Sequence, residues 1–470
     1  MSDIHWMSAS ELLKAYKTKT LSPVEVAEAT LKRADDLNPK LNALNLIDHD
    51  AAMAQARDSE ARWQKRAPLG RLDGVPTAIK DILLTKGWPT LRGSKTVDAD
   101  QSWDEDAPCV ARMREHGAVI YGKTTTPEYG WKGVTDSPLT GVTRNPWNLD
   151  KTPGGSSGGA SAALAAGLCP IAVGTDGGGS IRIPAAFTGT YGIKPSFGRV
   201  PAYPISPFGT VAHVGPMART VEDAALFLSV MAEGDARDWY AMTPDGRDYV
   251  DGLKDGIKGA RIAFSPRLGF VRKIDPEVEA LVARAAHRFT ELGATVEEVD
   301  PHLEATMGDP SDAFQTLWWS GAFFALGHLP DAKKALLEPG LAEVVEEGAK
   351  FSLHDYLSAV KARETYGSQM RQFMEGFDFL LTPSLAIPAF DVGIVAPPGY
   401  DGRQWMEWTP FSYPFNLTQQ PAASINCGFT ESGLPVGLQI VGRMHDDAGV
   451  LRASHAFEQI EPDATRHAPL

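Results

Sequence analysis

Residues 174–184, GTDGGGSIRIP, carry three consecutive glycines directly before Ser180. A second loop of similar composition, PGGSSGGAS, precedes them at residues 153–161. Between the two loops, residues 160–167 predict an Ala-rich helix and residues 170–173 a short strand. We therefore expect both loops to lie on the same side of a β-sheet.

Ordering the three glycines before Ser180 costs free energy, because glycine loses more conformational freedom on folding than other residues. Such a run therefore indicates a position where side chains cannot be accommodated. Backbone N–H groups without side chains can approach an oxyanion closely, and Ser180 lies where they would converge. Flexible turns and phosphate-binding loops are alternatives for such composition. Neither loop has the G-x-x-x-x-G-K-[ST] or G-x-G-x-x-G spacing of nucleotide-binding loops.

The first loop also matches the nucleophile-elbow pattern G-x-S-x-G twice, centred on Ser156 and on Ser157. An elbow follows a strand directly, and the preceding residues 150–153 (DKTP) do not resemble a strand. Its histidine would be His213 or His445. An S-x-x-K motif at residues 358–361 is predicted to lie on a solvated helix face.

Residues 74–84 (GVPTAIKDILL) predict a buried strand with one cation, Lys80, among apolar neighbours. Burial disfavours the ammonium form and lowers its pKa, so Lys80 is a candidate base. A buried ion pair, for example with the adjacent Asp81, is the structural alternative.

The flanking sequence alternates between helical and strand patterns, which is typical of an α/β sheet covered by helices. Capping boxes at Ser8 and Ser22 predict two N-terminal helices that end near residues 38–39. A helix over 353–374 and strands over 379–381 and 436–441 are expected to return to the same sheet. Residues 388–414, rich in Pro, Gly and Trp, predict a long ordered loop.

Three motifs together resemble the amidase signature family: GVPTAIKD around Lys80, GGSSGG at 154–159 and GTDGGGSIRIPA at 174–185. GKTTTPE (122–128), RNPWN (144–148), YGIKPSFGRV (191–200) and GLPVGLQIVG (433–442) agree with it. The resemblance covers nearly the whole chain. It implies one α/β domain over residues 1–470 with the signature core at about 74–200, built on a large mixed twisted β-sheet with helices on both faces.

The resemblance also implies the chemistry, which is hydrolysis of an amide C–N bond without a metal or cofactor. Ser180 would be the nucleophile, Ser156 a bridging serine on a cis peptide bond, and Lys80 the base. Two further sets of residues are implied: an oxyanion hole from the N–H groups of Gly177, Gly178, Gly179 and Ser180, and supporting residues Asp176, Arg182 and Ser157.

The substrate pocket is predicted in loops at about 201–215, 310–330 and 388–415. Aromatic residues in these segments favour a bulky apolar or aryl acyl or amine group, as in an aryl amide or anilide. The family resemblance implies carbamates and esters as further substrate types, because one acyl-enzyme route serves all three. The pocket candidates are Tyr203, Phe208, Trp318 and Trp319, with Phe323, Trp405, Trp408, Phe411 and Tyr413 as further aromatic candidates.

Two other functions remain open from the sequence. One is the glutamine-hydrolysing amidase component of a tRNA-amidating complex, although residues 353–374 do not resemble those proteins. The other is a non-catalytic binding protein that retains the fold, which the intact Lys80, Ser156 and Ser180 disfavour.

The composition limits the kinds of binding partner and the cellular location that we expect. The chain has 45 Lys and Arg against 59 Asp and Glu, a net charge of −14, and no dense basic run, so we expect no nucleic acid. Its most apolar stretch, residues 162–173, contains Gly167 and Pro170 and falls short of the roughly 20 residues that cross a bilayer. Three widely spaced cysteines and the absence of a secretory pattern at residues 1–6 predict a cytoplasmic protein with free thiols. We expect a monomer or homodimer that acts on a small molecule.

Overall fold

The computed structural model describes residues 3–301, 309–400 and 402–470. Its strands are β1 (Leu44–Ile47), β2 (Pro76–Lys80), β3 (Val119–Thr124), β4 (Asp136–Ser137), β5 (Gly141–Val142), β6 (Ile171–Asp176), β7 (Tyr191–Lys194), β8 (His213–Ala218), β9 (Arg261–Phe264), β10 (Thr295–Glu298), β11 (Phe379–Pro383), β12 (Ala422–Phe429) and β13 (Pro435–Gly442). Its α-helices are α1 (Ala9–Thr18), α2 (Pro23–Leu41), α3 (His49–Gln64), α4 (Pro108–Glu115), α5 (Gly158–Ala165), α6 (Arg182–Thr188), α7 (Val221–Met231), α8 (Pro276–Arg288), α9 (Ser311–Leu326), α10 (Asp331–Lys334), α11 (Pro339–Gly348), α12 (Leu353–Met374), α13 (Pro414–Leu417) and α14 (Asp447–Glu458).

Eleven strands of the described ranges form one mixed sheet in the order β1-β3-β2-β6-β8-β7-β12-β13-β11-β9-β10. Strand β2 runs parallel to both β3 and β6, and β9 runs parallel to β10 and β11. The remaining neighbours in this sheet are antiparallel. Parallel neighbours need crossover connections, whereas the antiparallel strands β12 and β13 are joined directly by residues 430–434.

Alternate residues of the central strands face opposite sides of the sheet, as the period of two in a strand requires. Ile79 and Val173 pack in one core with helices α4, α7, α8 and α14. Ala78 and Ala172 pack in another core with α2, α3, α5 and α6. The predicted α/β sheet with helices on both faces is confirmed.

Most of the predicted elements are present. Ser8 and Ser22 form the expected capping boxes, but α2 passes through Pro39 and ends at Leu41, one residue before Asn42 in the left-handed conformation. Helix α12 covers the predicted residues, and strands occupy 379–383 and 435–442. The helix boundary differs because proline in the last turn interrupts few of the helix hydrogen bonds.

One predicted pocket loop differs from expectation, and a second is an ordered connection as predicted. Residues 311–326 form helix α9 instead of a loop. The described residues of the 388–414 segment form an ordered connection with one short 3₁₀ turn at Gln404–Met406, and they bury Trp408 and Phe411 completely. None of the described helices combines the length and the apolar character needed to span a bilayer.

Candidate active site

Both Gly/Ser loops end at a helix. Residues 154–157 lead into α5, whose eight residues are all buried, and residues 177–181 connect β6 to α6. The Ser157 N–H donates to the Ser180 carbonyl at 3.2 Å, which joins the two loops. Lys80 is the last residue of β2, the parallel neighbour of β6. Since parallel strands end at the same edge, Lys80 lies beside both loops.

The Lys80 side chain is fully buried and surrounded by hydroxyl groups. Its Nζ lies 2.7 Å from Ser156 Oγ, 2.8 Å from Ser157 Oγ and 2.8 Å from Thr175 Oγ1. Within the described ranges Lys80 forms no ion pair. The ion pair suggested as an alternative from the sequence is therefore wrong, because Asp81 is paired with Lys123 instead.

Burial lowers the pKa of Lys80 well below its ordinary value, and the charge of Asp176 only partly opposes this shift. The amine is therefore neutral at a lower pH than an exposed lysine would be. A neutral amine has two N–H donors and one lone pair, so it can both hold neighbouring hydroxyls and accept a proton.

Ser156 and Ser180 line the same cavity. The peptide bond between Gly155 and Ser156 is cis, as the family resemblance implied. The Ser180 side chain is 7% exposed and its hydroxyl makes no hydrogen bond with the residues that the structure describes. Lys80 and Ser156 are thus in direct contact, whereas a hydrogen bond between Ser156 and Ser180 is not formed in this structure.

The N–H groups near Ser180 differ from expectation at one position. The Gly179 N–H donates to Asp176 Oδ1 at 2.7 Å, so it is engaged by that carboxylate instead of being free. The N–H groups of Gly177, Gly178 and Ser180 have no acceptor among the described residues. A Cβ added at Gly177 would lie 2.7 Å from the Trp318 ring, so this backbone approaches its neighbours too closely for a side chain.

Asp176 and Arg182 hold this loop in place. Asp176 accepts two hydrogen bonds of 3.0 Å from the Arg182 guanidinium and one of 2.8 Å from Asn416. Burial alone would raise the pKa of Asp176, but these contacts hold it well below its usual range. Arg182 also donates to the Ser412 carbonyl and to Gln439, which ties the loop to the far half of the chain.

The cavity beside the two serines has a volume of about 500 Å³. Tyr203, Phe208 and Trp318 line it, as predicted, and the rings of Phe208 and Trp318 are stacked with centroids 3.8 Å apart. The other apolar side chains of the wall include Ile82, Leu83, Ala322, Leu326, Leu329 and Leu341.

The remaining aromatic candidates lie outside this wall. Trp319 follows Trp318 on α9, so it points about 100° away around the helix and packs against Phe351. Trp405 packs behind Trp318, with ring centroids 5.8 Å apart. Phe323 is 42% exposed, and Trp408, Phe411 and Tyr413 are buried in the core.

Sequence reasoning missed several cavity residues. Thr175 lies within the GTDGGGS motif but has no role predicted from the sequence, because its contact with Lys80 depends on the pairing of β2 with β6. Arg92 and Tyr129 also line the cavity, and no sequence pattern points to either. His213, considered only as an elbow partner, is a buried wall residue whose Nδ1 lies 2.8 Å from the Val211 carbonyl.

The chain is similar to known proteins over nearly its whole length. The model of the family named Amidase matches residues 25–451. The chain belongs to the amidase signature family. The crystal structure of a bacterial aryl acylamidase of this family superposes with a TM-score of 0.91 at 35% identity, covering 98% of this chain and 97% of that one.

Two sequence relatives have names that describe different functions. An acylamidase of Rhodococcus erythropolis is 38% identical, with 99% of this chain and 97% of that protein covered. A glutamyl-tRNA(Gln) amidotransferase component of Myxococcus xanthus is 36% identical over 96% of each. The protein is an amidase-family hydrolase that acts on the C–N bonds of amides.

Proposed function

We propose that this amidase works through an acyl-enzyme on Ser180, with Ser156 as proton relay and Lys80 as base. The observation that carries the proposal is the buried Lys80 amine 2.7 Å from Ser156 Oγ, beside the loop that presents Ser180. A serine hydroxyl is a weak nucleophile until a base removes its proton. A neutral lysine can supply that base, and burial lowers the pKa of Lys80, which favours its neutral form.

In the first step Ser180 Oγ attacks the amide carbonyl carbon, and its proton passes to Ser156 while the Ser156 proton passes to Lys80. The free N–H groups of Gly177, Gly178 and Ser180 stabilise the negative charge on the carbonyl oxygen. Protons then return from Lys80 through Ser156 to the amine nitrogen, and the C–N bond breaks. Water releases the acyl group from Ser180 by the same proton route.

Ser157 and Thr175 fix the Lys80 amine for this exchange. The Ser157 hydroxyl lies 3.2 Å from the Thr175 carbonyl, to which it can donate, so it is free to accept from Lys80. When the neutral Lys80 amine donates one N–H to Ser157 and the other to Thr175, its lone pair is directed to Ser156. Ser157 is therefore a positioning residue that contacts the base directly.

A fluorophosphonate probe tests the nucleophile. We expect it to label one residue, Ser180, and we expect Ser180→Ala to remove both the label and all amide hydrolysis. Ser157→Ala should still be labelled, which would show that the probe reacts with the loop of Ser180 and not with the loop of Ser157. Labelling of Ser156 in place of Ser180 would reverse the proposed roles.

We further propose that the acyl or amine part of the substrate is an aryl or other bulky apolar group. The 500 Å³ cavity suits a ligand of that size, and the stacked Phe208 and Trp318 offer flat apolar surface. The similarity to an acylamidase and to an aryl acylamidase supports the same class. Carbamates and esters can use the same acyl-enzyme route.

Steady-state rates on acetanilide and acetamide test this preference. We expect a higher kcat/KM for acetanilide, reduced in Phe208→Ala but unchanged in Leu353→Ala, where an exposed apolar side chain outside the cavity is removed. A preference for acetamide would refute the aryl proposal. Phenyl carbamates and phenyl esters measured beside the anilide would rank the three bond types.

The second candidate is glutamine hydrolysis within an amidotransferase, which the similarity to the Myxococcus xanthus protein favours. Against it, glutamine carries an ammonium group that needs a carboxylate, and Asp176, one of the two carboxylates among the described residues of the cavity wall, is already paired with Arg182. Ammonia release from glutamine, measured with and without the other components of an amidotransferase, decides between the two.

A further inference from the structure

The charged residues of the cavity wall differ in whether their side chains have partners within the protein. Asp176 is paired with Arg182, and Asp238 accepts the N–H groups of Ala202 and Tyr240 at 2.8 Å each. Arg92 also lines the cavity, yet its guanidinium forms no hydrogen bond or ion pair with any residue of the described ranges. The wall therefore presents a positive charge without a protein partner in an otherwise largely apolar surface.

The backbone of Arg92 is fixed by hydrogen bonds, although its guanidinium has no partner among the described residues. Its N–H donates to the Asp81 carbonyl at 3.0 Å, and its carbonyl accepts the Tyr129 N–H at 2.7 Å. Arg92 has a φ of 56°, in the left-handed region that residues other than glycine rarely adopt. Both anchors are close to the site, since Asp81 follows Lys80 and Tyr129 lines the cavity.

A half-buried guanidinium loses hydration, and a partner that restores its hydrogen bonds is bound strongly in apolar surroundings. Carboxylate is the group that matches its planar pair of donors. We propose that Arg92 binds a carboxylate on the substrate, so that the preferred amides carry an anionic group beside their apolar part. This inference rests on the proposed function of the same cavity.

Matched substrates test the proposal by turnover. The anionic substrates are para-acetamidobenzoate, with the carboxylate on the amine side, and succinanilate, with it on the acyl side. Their neutral counterparts are para-methylacetanilide and butyranilide. We expect at least one anionic substrate to have the higher kcat/KM in the wild type, and Arg92→Gln to remove about tenfold or more of that advantage through KM.

Two further variants distinguish charge recognition from a structural effect. Arg92→Lys should recover part of the advantage, because it keeps the charge but loses the bidentate geometry. Arg57→Gln, which removes an exposed arginine on α3 outside the cavity wall, should leave all rates unchanged. An equal loss on anionic and neutral substrates in Arg92→Gln, or no loss on either, would overturn the proposal.

Binding without turnover separates this inference from the proposed function. In a Ser180→Ala background, tryptophan fluorescence reports ligands near Trp318, which lines the cavity. We expect para-acetamidobenzoate to bind about tenfold or more weakly after Arg92→Gln, with para-methylacetanilide unaffected. If wild-type protein hydrolyses no anilide but this binding difference holds, the aryl amidase proposal fails and the Arg92 site stands. If hydrolysis holds without the binding difference, the Arg92 site fails alone.

Discussion

Lys80 and Lys123 occupy neighbouring parallel strands and are both fully buried, yet their amines have different partners. Lys123 Nζ lies 2.8 Å from the Asp81 carboxylate, with Thr90 as a further partner. Among the described residues, the Lys80 amine has only hydroxyl groups as hydrogen-bond partners. Burial lowers the pKa of both, but Asp81 opposes the shift at Lys123 by direct contact. A buried lysine with a carboxylate is a structural ion pair, whereas one with hydroxyls is available as a base.

The largest effect expected from this comparison is on turnover in Lys80→Met. This variant keeps most of the side-chain volume but removes the base, and general base catalysis contributes about 10²–10⁴-fold. We expect kcat to fall by about that factor, with the fold retained as judged by circular dichroism. A variant with more than about a tenth of wild-type kcat would mean that Lys80 is not the base.

Lys123→Met should instead act on stability. It leaves Asp81 buried without its charged partner, and breaking a buried pair costs about 3–5 kcal/mol. Denaturant unfolding measures the loss, and kcat of the protein that remains folded should stay close to that of the wild type. The double variant Lys123→Met/Asp81→Asn should recover part of the stability, since the lone charge is gone. A large loss of kcat with unchanged stability would contradict the distinction.

The pH profile sharpens the comparison. Protonation of Lys80 removes the base, so kcat/KM should fall about tenfold per pH unit below the pKa of Lys80 in the free enzyme. Because burial lowers that pKa, we expect this acid limb well below the ordinary lysine value of about 10.4. An acid limb of the kcat/KM profile at about pH 10.4 would contradict a desolvated Lys80 amine. As a control, Lys123→Met should leave the pH of this limb unchanged.

The smallest effect concerns the two adjacent serines. Ser157→Ala removes one acceptor of the Lys80 amine, and a single hydrogen bond contributes about 0.5–1.5 kcal/mol, so kcat should fall roughly two- to tenfold. Ser156→Ala removes the proton relay and should cost at least a further tenfold. Equal losses in the two variants would show that positioning and relay are not divided between these residues.

Local periodicity predicts the fold class and most of the helices and strands. The long motifs predict that Lys80 and the two serine loops lie close together. Lys80 stands out as one cation in an apolar strand. Its contact with Thr175 is not predictable, since it depends on how β2 and β6 align. The prediction that Trp319 lines the cavity fails because residues 311–326 form a helix, in which adjacent side chains point in different directions.

Arg92 illustrates the other limit of sequence reasoning. Nothing distinguishes one arginine from another along the chain until the positions of all carboxylates are known. The informative property of Arg92 is that its guanidinium lacks a hydrogen-bond or ion-pair partner among the described residues, and that property exists only in three dimensions.

Helix α5, buried along its entire length, has a consequence for how this enzyme can diversify. A methyl group added at Gly159 would lie 2.5 Å from the Thr125 main-chain nitrogen and 2.6 Å from the Ala43 carbonyl oxygen. Saturation mutagenesis should therefore find almost no tolerated change in volume there, although the cavity lining includes no residue of α5. New substrate ranges would arise by replacing wall residues such as Phe208, with helix α5 left unaltered.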